Sequence, residues 1–409
     1  MTTKPTPARS HIVVLQQLLK FIPREMILRL ARKSGAEDKA RSFSVLSHLS
    51  AMLFAQLARA ISLNDVCDWL RLKAPVLARF GVTPPARNTL SHANKIRPSD
   101  FVESLFWSTL AHLQTLQPSF AAGRRGKGLL HRFKVGIHAV DSTVMELVAN
   151  CMDWAKHRRR KAAAKMHLRL NLHTGLPSCV IVDTAAHNDN RRAREMCAGL
   201  QEGEIVLFDK AYIDFLHMAD LDERGVWWVT RAKDNMSYRS VKILCKKAGD
   251  IVRDEIIRLT GKHKGLEMRR VEAWVEVDGE RRVMVFLTNN REWSPRTVCD
   301  LYKRRWDIEA FFKQVKQTLK LSTFLGHSAN AVRWQVYSAL LVYVLLRFLA
   351  HLSKWGHSFT RLFAVVRSTV WERVDLPELL RSYGTASGHF LCLEAPKPAW
   401  LHGFEPRGA

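Results

Sequence analysis

The chain has 409 residues, 47% of them hydrophobic, enough apolar material for a large core spread over two or three domains. Its 64 Lys and Arg outnumber 38 Asp and Glu, leaving a formal charge of +26; solubility needs far less, so a polyanion, first of all nucleic acid, is the expected partner. Seven scattered cysteines (Cys67, Cys151, Cys179, Cys197, Cys245, Cys299, Cys392), none in a Cys-x-x-Cys pair, argue against a disulfide framework or a zinc site and for reduced thiols in a cytosol. Met1 to Pro5 carries no signal-peptide pattern. The most apolar run, Val336 to Leu346, stops at Arg347 after eleven residues; that is too short to span a bilayer and reads as a buried helix, so no membrane is expected.

Residues up to about 120 read as helical. His11 to Phe21 repeats apolar residues at helical spacing, Pro23 suits the first turn of a helix reaching Lys33, and Gly35 ends it. Phe43 to Ala60 and Leu63 to Leu72 follow, the second with Asn64 as a candidate N-cap. Ala86 to Arg97 is a short helix of cations and amides. Arg87 and Lys95 on it are suited to a DNA groove, and a solvated surface helix fits equally well.

The pattern changes after the basic, glycine-rich Gly123-Arg124-Arg125-Gly126-Lys127-Gly128. Val135 to Val140 reads as a strand ending on Asp141-Ser142-Thr143. Two more strands, Met166 to His173 and Ser178 to Asp183, are joined by Gly175-Leu176-Pro177. A helix over Arg191 to Leu200 leads to a strand that begins at Glu204 and ends on Asp209, and Val226 to Thr230 is the fifth strand. That order resembles a ribonuclease-H-like domain, in which the first and fourth strands are neighbours and present their terminal acids side by side. Asp183 and Asp214 are competing acids; the first ends a strand away from that corner, and the second suits a helix's first turn.

One hundred residues separate Asp209 from Glu309, more than such a core needs. Between Asp234 and Trp293, Val271 to Val277 and Arg282 to Leu287 alternate around Asp278-Gly279-Glu280, a hairpin signal. Beyond them, Leu301 to Lys316 reads as one helix with an apolar stripe through Leu301, Ile308, Phe311, Phe312 and Val315. Beside the stripe, Tyr302, Arg305, Glu309 and Lys316 recur at spacings that, in a regular helix, project within roughly 60° of one another over about 21 Å. A carboxylate between two cations suits a metal ion and phosphate oxygens; an ordinary Arg305–Glu309 ion pair on an amphipathic helix is the plainer alternative. After His327 the chain reads as helical again.

Tyr302-x2-Arg305-x3-Glu309-x6-Lys316 resembles the Tyr-Arg-Glu-Lys signature of bacterial DDE transposases of the insertion sequence 4 family. Asp141-Ser142-Thr143 and Asp209-Lys210-Ala211-Tyr212 resemble that family's first two acidic motifs, with Ala211 where glycine is common. The match runs from Phe133 to about His327. It implies an α/β protein with a ribonuclease-H-like core (130–233 and 294–327), a β-rich insertion over the active site (234–293), a helical N-terminal DNA-binding domain (1–122) and a helical C-terminal region (328–409). It also implies double-stranded DNA as substrate, transposon ends and target alike, a homodimer in the synaptic complex, and a cytoplasmic, nucleoid-associated bacterial protein. Two Mg²⁺ or Mn²⁺ ions would be held by Asp141, Asp209 and Glu309, with Asp141 bridging.

Arg158, Arg159 and Arg160 form a candidate phosphate patch or a solvated charge run. His187 reads as a cap more than a metal neighbour. Trp293 and Trp306 are candidates to stack on an unpaired base, with core packing the better reading for Trp306. His157-x-x-Arg160 with Tyr302 also resembles parts of a tyrosine recombinase, a reading that leaves Asp141 and Asp209 without a role. A catalytically idle, transposase-derived DNA-binding regulator is the remaining alternative.

Overall fold

The computed structural model of the chain describes residues 8–38, 40, 42–122, 128–147, 151, 155–158, 161–184, 189–277, 279–321 and 324–382. The chain divides into two compact units: Met1–Leu90 with Asp100–Leu110 and Ser338–Ala409, and Ser91–Ser99 with Ala111–Tyr337.

The first unit is helical. The helix Val45–Ala58 contains no charged residue and is buried on every side from Ser47 to Leu57, as an all-round apolar helix must be. The helix Leu63–Leu72 is started by Ser62, not by Asn64 as the sequence suggests. Ser62 Oγ accepts from the Asp65 amide at 3.1 Å and Asp65 returns a bond to the Ser62 amide at 3.2 Å, a reciprocal capping box. Ser62→Ala is expected to cost about 1 kcal/mol and to lower the thermal midpoint, while Ser62→Asp leaves it near wild type. The segment around Arg9 lies antiparallel to Val374, and Gln17 clamps it by donating to the Val374 carbonyl at 2.6 Å and accepting from the Leu376 amide at 3.0 Å.

The second unit is built on one mixed sheet. Its strands among the described residues are β1 (Ile137–Leu147), β2 (Lys156–Arg158), β3 (Lys161–Asn171), β4 (Leu176–Thr184), β5 (Ile205–Phe208), β6 (Trp227–Arg231), β7 (Tyr238–Cys245), β8 (Ile251–Leu259), β9 (Glu267–Val277) and β10 (Glu280–Thr288). They are ordered β2-β3-β1-β5-β6-β10-β9-β8-β7, with β4 also paired to β3. The central strands β1, β5 and β6 are parallel, and Ile-Val-Leu-Phe of β5 is wholly buried, as expected where both faces are covered. One face packs Val140, Val206, Phe208 and Trp228 against Met196 and Leu221 of the helices Asp189–Cys197 and Phe215–Glu223. The other face receives the helix Pro295–Lys303, which packs on β6, β9 and β10, and the helix Asp307–Lys313, which packs on β1.

Strands β7 to β10 join this same sheet through β10, which pairs with β6 from Phe286↔Arg231 to Thr288↔Val229. The β9–β10 hairpin closes at Val277↔Glu280 with Gly279 at φ 80°; Asp278 lies outside the described residues. Arg269 of β9, buried, grips both carboxylate oxygens of Asp254 at 2.8 and 2.7 Å and donates to the carbonyls of Trp293 at 2.6 Å and Asn290 at 3.4 Å. This tie fixes the segment that launches the helix Pro295–Lys303.

One long helix contains the apolar run Val336 to Leu346. It covers Ala329–Leu352, 24 residues, and by length and composition could cross a membrane, yet 78% of its most apolar window is buried inside the protein.

Candidate active site

Parallel pairing between β1 and β5 runs from Ile137↔Ile205 to Val140↔Phe208, so Asp141 and Asp209 are the next residues on each strand. Side chains alternate along a strand. Val140 and Phe208 face the buried helical layer, and Asp141 and Asp209 therefore turn to the opposite face, toward the Glu309 helix. The sequence places Asp141 at the end of its strand, whereas β1 continues to Leu147 because β3 pairs with it antiparallel, Asp141 opposite Leu168. The parallel ladder stops at Val140 and the antiparallel one does not; that leaves Asp141 with a free edge on the side of Asp209.

The signature segment is one helical stretch but not one regular helix. It tightens to a 3-10 turn over Arg304–Trp306 and widens to a π turn over Gln314–Thr318. Such irregular turns concentrate at functional sites. Three of the signature side chains reach the acids or β1, and the fourth is the acid Glu309. Tyr302, 5% exposed, donates its hydroxyl to Asp209 Oδ1 at 3.4 Å. Arg305 spans Asp141 Oδ2 at 3.2 Å and Glu309 Oε1 at 2.8 Å. Its guanidinium also lies 5.7 Å from the Tyr302 ring centre and 5.3 Å from that of Trp306. Lys316 Nζ donates to the Val144 carbonyl at 2.8 Å and to Thr143 Oγ1 at 3.3 Å, pinning the end of the segment to β1.

Burial pushes the Asp141 carboxyl up to about 6; the Ser142 amide and Arg305 pull it down, and Asp209 and Glu309 push it further up. Burial works against the Arg305 charge, but Tyr302, Asp141, Asp209 and Glu309 together outweigh it and hold the guanidinium above its ordinary value. Burial also raises the Tyr302 phenol. A raised carboxyl binds its proton more tightly folded than unfolded. Its contribution is thus full below pH 3.8 and is lost as the pH rises to about 6, a loss of about 3 kcal/mol. In EDTA, Asp141→Asn is expected to raise the thermal midpoint above wild type at pH 7 and to leave it unchanged at pH 4. Equal midpoints at pH 7 would remove the strain ascribed to this carboxylate.

The competing acids are engaged elsewhere. Asp183 is paired with Arg192, and Asp214 caps the helix Phe215–Glu223 by accepting from the amides of Leu216 and His217. Arg87 and Lys95 are exposed on the helix Arg87–Ile96, whose Leu90, Ala93 and Asn94 are buried. Arg158 lies on β2, while Arg159, Arg160 and His187 fall outside the described residues. Trp306 reverses the expectation from sequence: it is 46% exposed, with its ring beside the Arg305 guanidinium. Trp293 packs edge-on to Phe133 and Trp227. Sequence reasoning missed Arg231, which follows Thr230 on β6 as Asp209 follows Phe208 on β5, and whose charge reaches the Tyr302 phenol. A cation ending an apolar strand beside a strand that ends in an acid was the available signal.

The sequence pattern of the transposase DDE domain matches residues 134–345, a span holding all three acids and the whole signature segment. The chain belongs to the transposase DDE domain family. Residues 10–83 match a second family, described as a domain of unknown function (DUF4372). The transposase is 28% identical over 305 residues to y4zB of Sinorhizobium fredii, a protein named as a transposase, covering 73% of this chain and 81% of that one. It is 26% identical over 343 residues to the probable transposase for insertion sequence element IS5377 of Geobacillus stearothermophilus, covering 83% and 85%. With the transposase InsG for insertion sequence element IS4 of Escherichia coli it shares 22% identity over 197 residues, covering 45% and 43%.

DDE transposases depend on divalent cations, and the donor chemistry here suits one: three carboxylates and no soft ligand, the preference of Mg²⁺ or Mn²⁺. The buried, strained Asp141 carboxylate is a group that a dication would relieve. Among the described residues, however, no three His, Cys, Asp or Glu side chains are gathered closely enough to hold an ion. Arg305 stands between two of the acids.

Proposed function

We propose that this transposase binds the terminal inverted repeats of its element, hydrolyses the phosphodiester at each end and joins the freed 3′-hydroxyls to target DNA. The observation that supports the reading is that the signature segment bonds three acids from distant parts of the chain: Asp141 and Asp209 one step past the β1–β5 ladder, and Glu309 linked to Asp141 through Arg305. On this reading the second unit is a ribonuclease-H-like core. Asp141, Asp209 and Glu309 are its catalytic residues and would hold two Mg²⁺ ions. The ions would supply charge neutralisation at the attacking and leaving oxygens. Tyr302, Arg305 and Lys316 would meet phosphates next to the scissile bond, and Trp306, exposed beside them, would stack on an unpaired base there.

Further out, Arg158, Arg159, Arg160, Arg87 and Lys95 would track the backbone, and the strands within 234–293 would lie along the transposon end. The charge of +26 supports a long contact with DNA. Two protomers would pair in the synaptic complex, working at the nucleoid in the bacterial cytoplasm. The test is incubation with the element's own terminal repeat DNA and Mg²⁺, then with EDTA, then with Glu309→Ala. Cleavage that needs the metal and the carboxylate supports the reading, and cleavage surviving either change excludes it. Binding without any cleavage would favour the regulator. A DNA adduct at Tyr302 would favour a tyrosine recombinase, against which stand the burial of Tyr302 and its bond to Asp209.

A further inference from the structure

We infer that Arg305 is an internal counter-ion that keeps the acids from closing on a divalent cation until a DNA phosphate draws it away, so that metal loading is coupled to DNA binding. The inference rests on the proposed metal role of Asp141, Asp209 and Glu309 and adds a control on when that role begins. Arg305 is 6% exposed and bridges Asp141 and Glu309, the acids on opposite sides of the site, while Asp209 is engaged by the Tyr302 hydroxyl. Each acid therefore already has a partner from the signature segment, and the positive charge that links two of them is Arg305. Three carboxylates against Arg305, with Arg231 the further cation beside Asp209, leave the site negative, so a cation is attracted. The guanidinium nonetheless occupies one carboxylate oxygen of Asp141 and one of Glu309, oxygens that an ion would need.

A phosphodiester resolves the conflict. The guanidinium is planar and forked, and it pairs with phosphate oxygens as well as with carboxylates. The 3-10 turn over Arg304–Trp306 gives the arginine its own local geometry, separate from the regular turns on either side. When phosphate takes Arg305, Asp141 and Glu309 lose their partner at the moment substrate arrives. Cutting chemistry is thereby withheld from a protein that carries no DNA. Linkage then requires the effect to be mutual: whatever factor DNA adds to metal affinity, metal adds to DNA affinity.

The experiment measures Mn²⁺ binding to the full chain by the electron paramagnetic resonance signal of free Mn²⁺, with and without a duplex bearing the terminal repeat. Wild type, Arg305→Ala, Arg305→Gln and Lys313→Ala are compared, and circular dichroism checks that each is folded. DNA-free wild type is expected to bind Mn²⁺ about tenfold or more weakly than Arg305→Ala or Arg305→Gln, a coupling of ordinary allosteric size. DNA should tighten wild type by a similar factor and the Arg305 variants far less. Lys313→Ala removes an equal charge from an exposed position on the same segment, bonded to none of the three acids, and should leave DNA-free affinity at the wild-type value. If DNA-free wild type binds as tightly as the Arg305 variants, or if Lys313→Ala tightens binding equally, the counter-ion role is overturned while the metal site survives. If no form binds Mn²⁺ with or without DNA, the metal reading falls and takes this inference with it.

Discussion

Asp209→Asn is expected to reduce cleavage of terminal repeat DNA by on the order of 10³-fold or more, with DNA affinity and thermal midpoint close to wild type. Metal-borne charge stabilisation is worth several kcal/mol, and about 4 kcal/mol corresponds to three powers of ten in rate. Asparagine keeps the shape of the side chain and can still accept from the Tyr302 hydroxyl, which now bonds Asp209 at 3.4 Å. The strand is unaffected, because the β5 ladder to β1 and β6 ends at Phe208. The loss should thus fall on the turnover rate of bound complexes and not on their formation. Single-turnover cleavage with saturating protein reads that distinction directly. A variant cleaving within tenfold of wild type would remove Asp209 from the catalytic set, and one that failed to bind DNA would make its role architectural.

The largest effect on stability should come from the buried ion pair between Arg269 and Asp254. Both side chains are 3% exposed, and both oxygens of Asp254 are bonded. Breaking such a pair from one side strands a charge in the interior, at a cost of about 3–5 kcal/mol. Asp254→Ala should therefore lower the thermal midpoint sharply. Arg269→Met combined with Asp254→Leu removes both charges and should recover most of the loss, although Arg269 also satisfies the Trp293 carbonyl at 2.6 Å. Because that bond holds the approach to the helix Pro295–Lys303, the recovered double variant should still cleave DNA more slowly than wild type. Equal damage from the single and double variants would show that the pair stabilises by packing and not by charge compensation.

Much of the site was legible because its parts carry local signals. Apolar runs ending on Asp141 and Asp209 announce neighbouring strands that deliver acids just past their shared ladder, and the β9–β10 hairpin is visible in its alternation and turn. What was not legible depends on partners remote in sequence. The extension of β1 through Asp141 to Leu147 is imposed by β3, since Ser-Thr-Val-Met-Glu-Leu has no strand signal strong enough alone. The edge strand β7 is exposed along nearly all its length and has no buried face to set a pattern. Helical periodicity assumes one pitch, and so the overwound and underwound turns in the signature segment were invisible to it. The exposure of Trp306 and the place of Arg231 beside Asp209 likewise follow from the sheet's register. Nor can spacing reveal that Arg305 pairs with Asp141 as well as with its helical neighbour Glu309.

The parity of β1 has an evolutionary consequence. Only the four residues Ile137 to Val140 separate the start of the parallel ladder from Asp141, and successive residues face opposite ways. Loss or gain of a single codon within that stretch would rotate the carboxylate into the hydrophobic layer and bring a neighbour to the reaction side, while leaving the reading frame and most of the chain intact. Copies of the element carrying such a lesion would be inert yet still translated, and able to compete with active copies for the same ends.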